Sequence, residues 1–168
     1  MRRVVITGAG IVSCIGHDLD TVTTALKEGQ SGITFNDSYA EHEFKSHVSG
    51  SINQSELDTS GIDRKLKRFF SDASLYAYVS ALNAIEHSGL SLDTINNNPR
   101  VGVVASSGGA STENIVNAID AMREKGLRGV GAMAVPKTMG SSVSAALATG
   151  LKIQGVSYSL ASACATST

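Results

Sequence analysis

The residues with the clearest chemical potential lie in GVSYSLASACATS, residues 155 to 167, where Cys164 stands among Ser162, Ala163, Ala165 and Thr166. GVSYSLA (155–161) reads as a strand, and small residues follow it. A strand-to-helix elbow needs such residues, because bulky side chains clash where the chain doubles back. A thiol at an elbow faces the positive end of the following helix, which favours the thiolate. Backbone N–H groups of the same turn could hold an oxyanion. The bland alternative is a buried structural cysteine, the commonest setting of a free thiol. Spacing alone leaves both open. Cys14 has no such surroundings and reads as core.

Two glycine-rich stretches invite a nucleotide reading. TGAGIVSCIG follows the β-branched run RVVIT (3–7), a predicted strand buried on both faces. Gly8 and Gly10 match the first two glycines of a dinucleotide fingerprint, but Ser13 holds the third position. No acid-terminated strand follows about 20 residues on. The expectation is a tight strand-to-loop turn and no nucleotide. VVASSGGAS (103–111) lacks the lysine and spacing of a phosphate loop; its glycines admit close approach of a packed helix or of a ligand. MRR with VVITGAGIVSC resembles a lipoprotein leader, yet its apolar stretch is short and broken by Thr7, Gly8 and Gly10.

Several elements would position these residues. Leu19, Val22, Ala25 and Leu26 share one face of a helix over 18–28, stopped at Gly29. Residues 30–63 are polar and the least ordered in pattern, with a short strand at 47–52. Helical spacing over 64–88 joins Phe69, Ala73, Tyr76, Ala77, Ser80, Ala81, Ala84 and Ile85, ending at Gly89. Pro99 precedes a buried strand, VGVVASSGG. Ser111 caps a helix carrying Ile115, Ile119 and Met122, stopped at Gly126; 139–149 reads as a small-residue helix closed by Gly150. Strands alternating with helices predict an α/β layered domain with a mainly parallel sheet.

Composition bounds the rest. With 168 residues, 42% hydrophobic content and net charge −1, the chain fits one ordinary globular domain and has no overall pull toward nucleic acid or membrane. Two cysteines supply neither a disulfide framework nor a four-cysteine zinc site, which favours a reducing, cytoplasmic setting. No apolar run approaches the ~20 residues that span a bilayer.

SACATS around Cys164 closely resembles the nucleophile motif of the β-ketoacyl-acyl carrier protein synthases, condensing enzymes of fatty acid synthesis. VVITGAGIVSCIG, EGQSGI (28–33), DRKLKRFFSDAS (63–74) and NNPRVGVVASSGG (97–109) match in order, so the resemblance covers nearly the whole chain and is strongest to the synthase I type. It implies a thiolase-like α/β layered helix–sheet fold, of which residues 1–168 are the N-terminal half. It also implies a homodimer and no cofactor or metal. By the same resemblance, Cys164 would take an acyl chain from a carrier thioester and condense it with a decarboxylating malonyl thioester, its N–H serving as one oxyanion donor. Gly108, Gly109 and Met139 would lie near the acyl channel, Met139 reaching across the dimer. Arg64, Lys65, Lys67 and Arg68, with Lys125 and Arg128, would dock the acidic acyl carrier protein, where a solvated helix face is the bland alternative. GVSYSLA would pair with its twofold mate.

The family's catalytic histidines and lysine have no counterpart here: His17, His42, His47 and His87 fall in no matching motif. The expectation is therefore the first half of an enzyme ending just past its nucleophile, exposing apolar surface and unable alone to condense. Rival readings are a carrier-binding fragment, a non-catalytic synthase partner (which Cys164 argues against) and a thiol hydrolase, which needs a partnering histidine.

Overall fold

The computed structural model of the protein describes residues 3–167, and its first helix starts at an acidic cap. The Asp18 carboxylate accepts from the Thr21 hydroxyl at 2.7 Å and from the Thr21 N–H at 2.8 Å, opening α1 (Leu19–Glu28). Those two bonds, the hydroxyl's first, hold the Asp18 carboxyl below its ordinary value. Gly29 closes the helix at φ 66°, the left-handed conformation that glycine adopts without a Cβ penalty. Val22 and Ala25 are buried as the spacing predicts, but Leu26 is exposed. The polar stretch that follows is more ordered than expected. It carries β1 (Thr34–Phe35), α2 (Asp37–Glu41) and β2 (Val48–Ser49), with β1 and β2 antiparallel. β2 lies inside the predicted 47–52 strand.

The long helix predicted over 64–88 is two helices. α3 (Arg64–Lys67) is capped by Asp63, whose carboxylate accepts from the N–H groups of Lys65 and Leu66 at 2.8 and 3.1 Å. α4 (Asp72–Ser88) starts afresh after Ser71, whose Oγ accepts the Ser74 N–H at 3.3 Å. The interruption turns Phe70 inward, so the buried positions are Phe70, Ser71, Ser74, Tyr78 and Val79 rather than the predicted Phe69 series. Hydroxyls lead this face: Ser74 is the most buried, and the Ser71 Oγ lies 3.1 Å from the Ser74 Oγ and 3.2 Å from that of Ser142.

Residues 3–7 do not form the predicted buried strand: Val4 and Ile6 are 90% and 92% exposed. A ladder needs a partner with free backbone groups, and no strand among the described residues pairs with this segment. Gly8 and Gly10 lie directly on α4. A Cβ at Gly8 would strike the Ala84 carbonyl, and one at Gly10 the Ser80 carbonyl. Ala9 adds a hydrogen bond, its N–H donating to His87 Nδ1 at 3.0 Å. The two glycines thus serve close packing on a small-residue helix face. The tight strand-to-loop turn expected of them is not formed.

The chain divides into two compact units, Met1–Thr59 with Val79–Gly89, and Ser60–Tyr78 with Leu90–Thr168. Past α4 the second unit adds α5 (Leu92–Ile95), β3 (Val103–Val104), α6 (Thr112–Lys125), α7 (Leu127–Val130), α8 (Ala134–Thr138), α9 (Ser142–Gly150) and β4 (Ser157–Tyr158). Ser111 caps α6 as predicted, through the Asn114 N–H, and Gly126 ends it. Ile115, Ile119 and Met122 are nonetheless partly exposed. β3 and β4 pair in parallel, Val103 with Ser157 and Val104 with Tyr158. Both are shorter and less buried than expected, with Val104 and Tyr158 exposed. Among the described residues the strands form one parallel and one antiparallel pair, not a mainly parallel sheet. α9 packs against β3 and β4, and the core of this unit includes Phe70, Tyr78, Val143, Ala146, Leu147 and Leu151. Burial pushes the Tyr78 phenol above its ordinary value.

Gly10→Ala is expected to cost about 1–3 kcal/mol of stability, the usual range for forced overpacking. Gly140→Ala, with nothing within 4 Å of the added methyl, is the control. Equal urea midpoints for the two variants would contradict the packing role given to Gly10.

Candidate active site

The two parallel strands end side by side, and their loops form the site. The ladder runs through Gly155 N–H to the Val101 carbonyl at 3.0 Å, Val103 N–H to Val156 at 2.8 Å and Ala105 N–H to Tyr158 at 3.2 Å. Beyond it the Ser106 and Ser159 hydroxyls meet at 3.1 Å. Crevices at the carboxyl ends of parallel strands are the usual ligand sites of α/β sheets.

β4 then runs into the turn that carries the thiol. Ala163 takes φ 47°, and a short 3-10 turn over Ala163–Ser167 follows at once. Left-handed backbone at a residue with a Cβ costs about 1–2 kcal/mol, so surrounding contacts must hold it. Gly108 stands against it: a Cβ there would lie 2.8 Å from the Ala163 carbonyl oxygen. What Gly108 admits is therefore the backbone of the elbow. Two hydrogen bonds brace the turn from the other side, both through Thr166. Its Oγ1 accepts the Ser162 N–H at 2.9 Å and donates to the Ala163 carbonyl at 2.7 Å. Cys164 is unpaired and exposed, at the second residue of the turn. Cys14, in the other unit, is half-buried, with Gly32 and Gly50 packed against its sulfur.

The residues grouped around a channel by sequence lie in separate places. Met139 lines an apolar cavity of about 190 Å³ with Leu66, Phe69, Phe70, Pro136 and Ala146. Gly109 lines a small hydroxyl-rich cavity of about 130 Å³ with Ser71, Ser107, Ser111 and Ser142. Ser142 borders both. Thr166 borders a third cavity, of about 450 Å³, with Ala77, Val104, Val143 and Leu160. The hydroxyl cluster of Ser71, Ser74 and Ser142 escaped the sequence reading. Its one signal is Ser71 and Ser74 around an acidic first turn, a cap pattern inside an apparently continuous helix.

The cations are displayed outward. Arg64, Lys65, Lys67 and Arg68 are all exposed, while Leu66 turns inward to the apolar cavity. Lys125 ends α6 and Arg128 lies in α7, both exposed. All four histidines lie in the unit without Cys164, and each has a local partner. His17 Nε2 is 4.0 Å from Glu56, and His42 Nδ1 is 2.8 Å from the Ser38 carbonyl. The His47 ring stands edge-on to Phe35, and His87 holds Ala9.

The family model for the N-terminal domain of β-ketoacyl synthases matches residues 1–168. The chain is 53% identical to 3-oxoacyl-[acyl-carrier-protein] synthase 1 of Escherichia coli K12, over 99% of this chain and 41% of that protein. Among solved structures it resembles a β-ketoacyl synthase from Burkholderia phymatum at TM-score 0.79 and 25% identity, covering 99% of this chain and 41% of that one. A type II PKS ketosynthase, solved in complex with its acyl-carrier protein and bound to the hexaketide, matches at TM-score 0.70 and 18% identity. That match covers 95% of this chain and 41% of the other. The fold is that of the thiolase-like ketosynthases, and the chain spans about two fifths of the length of these relatives.

Gly108→Ala should move the elbow and change the alkylation rate of Cys164 by about fivefold, the effect of roughly 1 kcal/mol. Gly109→Ala, which meets nothing within 4 Å, should leave the rate unchanged. Iodoacetamide labelling with peptide mapping measures both, and identical rates would show that Gly108 does not set the turn.

Proposed function

Because the chain belongs to the β-ketoacyl synthase family, as its N-terminal domain, we propose that Cys164 is the nucleophile of an acyl transfer that begins fatty acid chain elongation. The observation that carries this is the exposed Cys164 thiol on a braced left-handed turn where two parallel strands end. In the first half-reaction the thiolate attacks the carbonyl of an acyl thioester. The tetrahedral oxyanion collapses, the carrier thiol leaves, and the acyl group stays on Cys164. In the second, a malonyl thioester loses CO2, and its carbanion attacks the acyl-enzyme carbonyl. A carbon–carbon bond forms, the Cys164 thiolate is released, and a β-ketoacyl thioester departs on the carrier.

The Cys164 N–H is the oxyanion donor that this chain contributes. Such preorganised donors act where charge develops, and losing one typically costs on the order of 10²–10³ in rate. Gly108 serves that donor by admitting the Ala163 carbonyl. Gly109 and Met139 are the proposed substrate contacts, the apolar cavity around Met139 suiting a hydrocarbon chain and Met139 serving the other protomer of a homodimer. The exposed edge of β4, without a charged guard, is the proposed twofold contact. The two unpaired cysteines suit a reducing, cytoplasmic setting. No helix among the described residues is long and apolar enough to cross a membrane.

The proposed partner is an acidic acyl carrier protein met by Arg64, Lys65, Lys67 and Arg68, with Lys125 and Arg128 beyond them. The related ketosynthase solved with its acyl-carrier protein supports this class of partner. Opposite charge steers association and weakens as salt rises.

Incubation with a labelled acyl-carrier thioester should place one acyl group on the Cys164 peptide and none on Cys14, as read by mass spectrometry. Cys164→Ser should abolish a stable thioester. Acylation of Cys14, or none at all, would contradict the proposal. Arg64→Glu with Arg68→Glu should raise the apparent KM for the carrier-bound donor about tenfold, as loss of about 1.4 kcal/mol does. A small soluble acyl thioester should be used as before, and equal effects on both donors would count against docking at α3.

A further inference from the structure

We infer that Thr166 is a positioning residue for the acyl-transfer step: its hydroxyl aims the Cys164 N–H by holding the carbonyl of the same peptide group. The inference rests on the proposed role of Cys164. The Ala163 carbonyl and the Cys164 N–H belong to one planar trans peptide and point in opposite directions, so fixing either fixes the other. The Ala163 carbonyl is held by the Thr166 hydroxyl at 2.7 Å. The Thr166 oxygen is itself held, because it accepts the Ser162 N–H at 2.9 Å. A hydroxyl has one proton and two lone pairs, so a single side chain can make both bonds. Ala163 needs the brace, since its φ of 47° is a conformation that alanine does not keep by itself. Gly108 limits the carbonyl from another direction by contact. Contact can block a movement, but only the hydrogen bonds set a direction. Thr166 is half-buried beside Val143 and Leu160, a setting that leaves its hydroxyl little choice of partner.

A positioning role differs from a merely structural one in what it affects. Alkylation by iodoacetamide needs an exposed thiolate and no oxyanion donor. Acyl transfer needs both. Thr166→Val keeps the shape and removes the hydroxyl; Thr166→Ser keeps the hydroxyl and removes a methyl. Both variants would be compared with the unaltered protein for acylation of Cys164 by a small acyl thioester and for its alkylation by iodoacetamide. Thr166→Val should slow acylation about tenfold or more, as loss of aim at a developing charge does, and leave alkylation within about twofold. Thr166→Ser should restore acylation. Unchanged acylation in Thr166→Val, or equal slowing of both reactions, would overturn the inference while leaving Cys164 as nucleophile. Failure of the unaltered protein to acylate Cys164 would overturn both.

Discussion

The peptide joining Ala163 to Cys164 is the constraint on which the site depends. It can point its N–H toward a reacting carbonyl only if its C=O points the other way, into the protein. Ala163 holds it in left-handed backbone, at φ 47°, which alanine resists. Everything near the turn works against this resistance: the missing side chain at Gly108, the two bonds of Thr166, and the β3–β4 ladder that brings both loops to one end. The strain is small against the stability of a domain but large against any one contact, so several contacts must share it.

The second unit has a division of labour that follows from where its polar atoms are buried. Ser71, Ser74 and Ser142 satisfy one another, which lets hydroxyls occupy positions that apolar residues would otherwise fill. Ser142 thereby separates an apolar cavity, lined by Met139 and Phe70, from a hydroxyl-lined one at Gly109. Leu66 turns into the apolar cavity while its neighbours on α3 present charge outward. One short helix thus builds both a hydrophobic wall and the proposed docking face.

Local signals with a one-residue cause were legible in the sequence. Gly29, Ser111 and Gly126 end and begin helices where capping chemistry says they should. The small residues around Cys164 correctly indicated a tight turn. Features decided by a distant partner were not legible. RVVIT has the composition of a strand, yet it pairs with no strand among the described residues, and no composition reveals the absence of a ladder partner. The helical spacing of 64–88 continues through the break, because Ser71 and Ser74 can serve either as surface hydroxyls or as a buried cap. Gly8, Gly10 and Gly108 all meet the carbonyl oxygen of a residue more than fifty positions away, at Ala84, Ser80 and Ala163. Sequence marked them as glycines with a purpose; only the fold says what approaches. The left-handed Ala163 was hidden for the opposite reason, since its residue type argues against its conformation.

The most direct test of the account is a crystal structure of the protein after reaction with an acyl thioester. It should show the acyl carbon bonded to the Cys164 sulfur and the acyl oxygen within hydrogen-bonding reach, about 3 Å, of the Cys164 N–H. Ala163 should remain left-handed, with its carbonyl still on Thr166. An acyl group on any other residue, or an acylated Cys164 whose N–H points away from the acyl oxygen, would contradict the account.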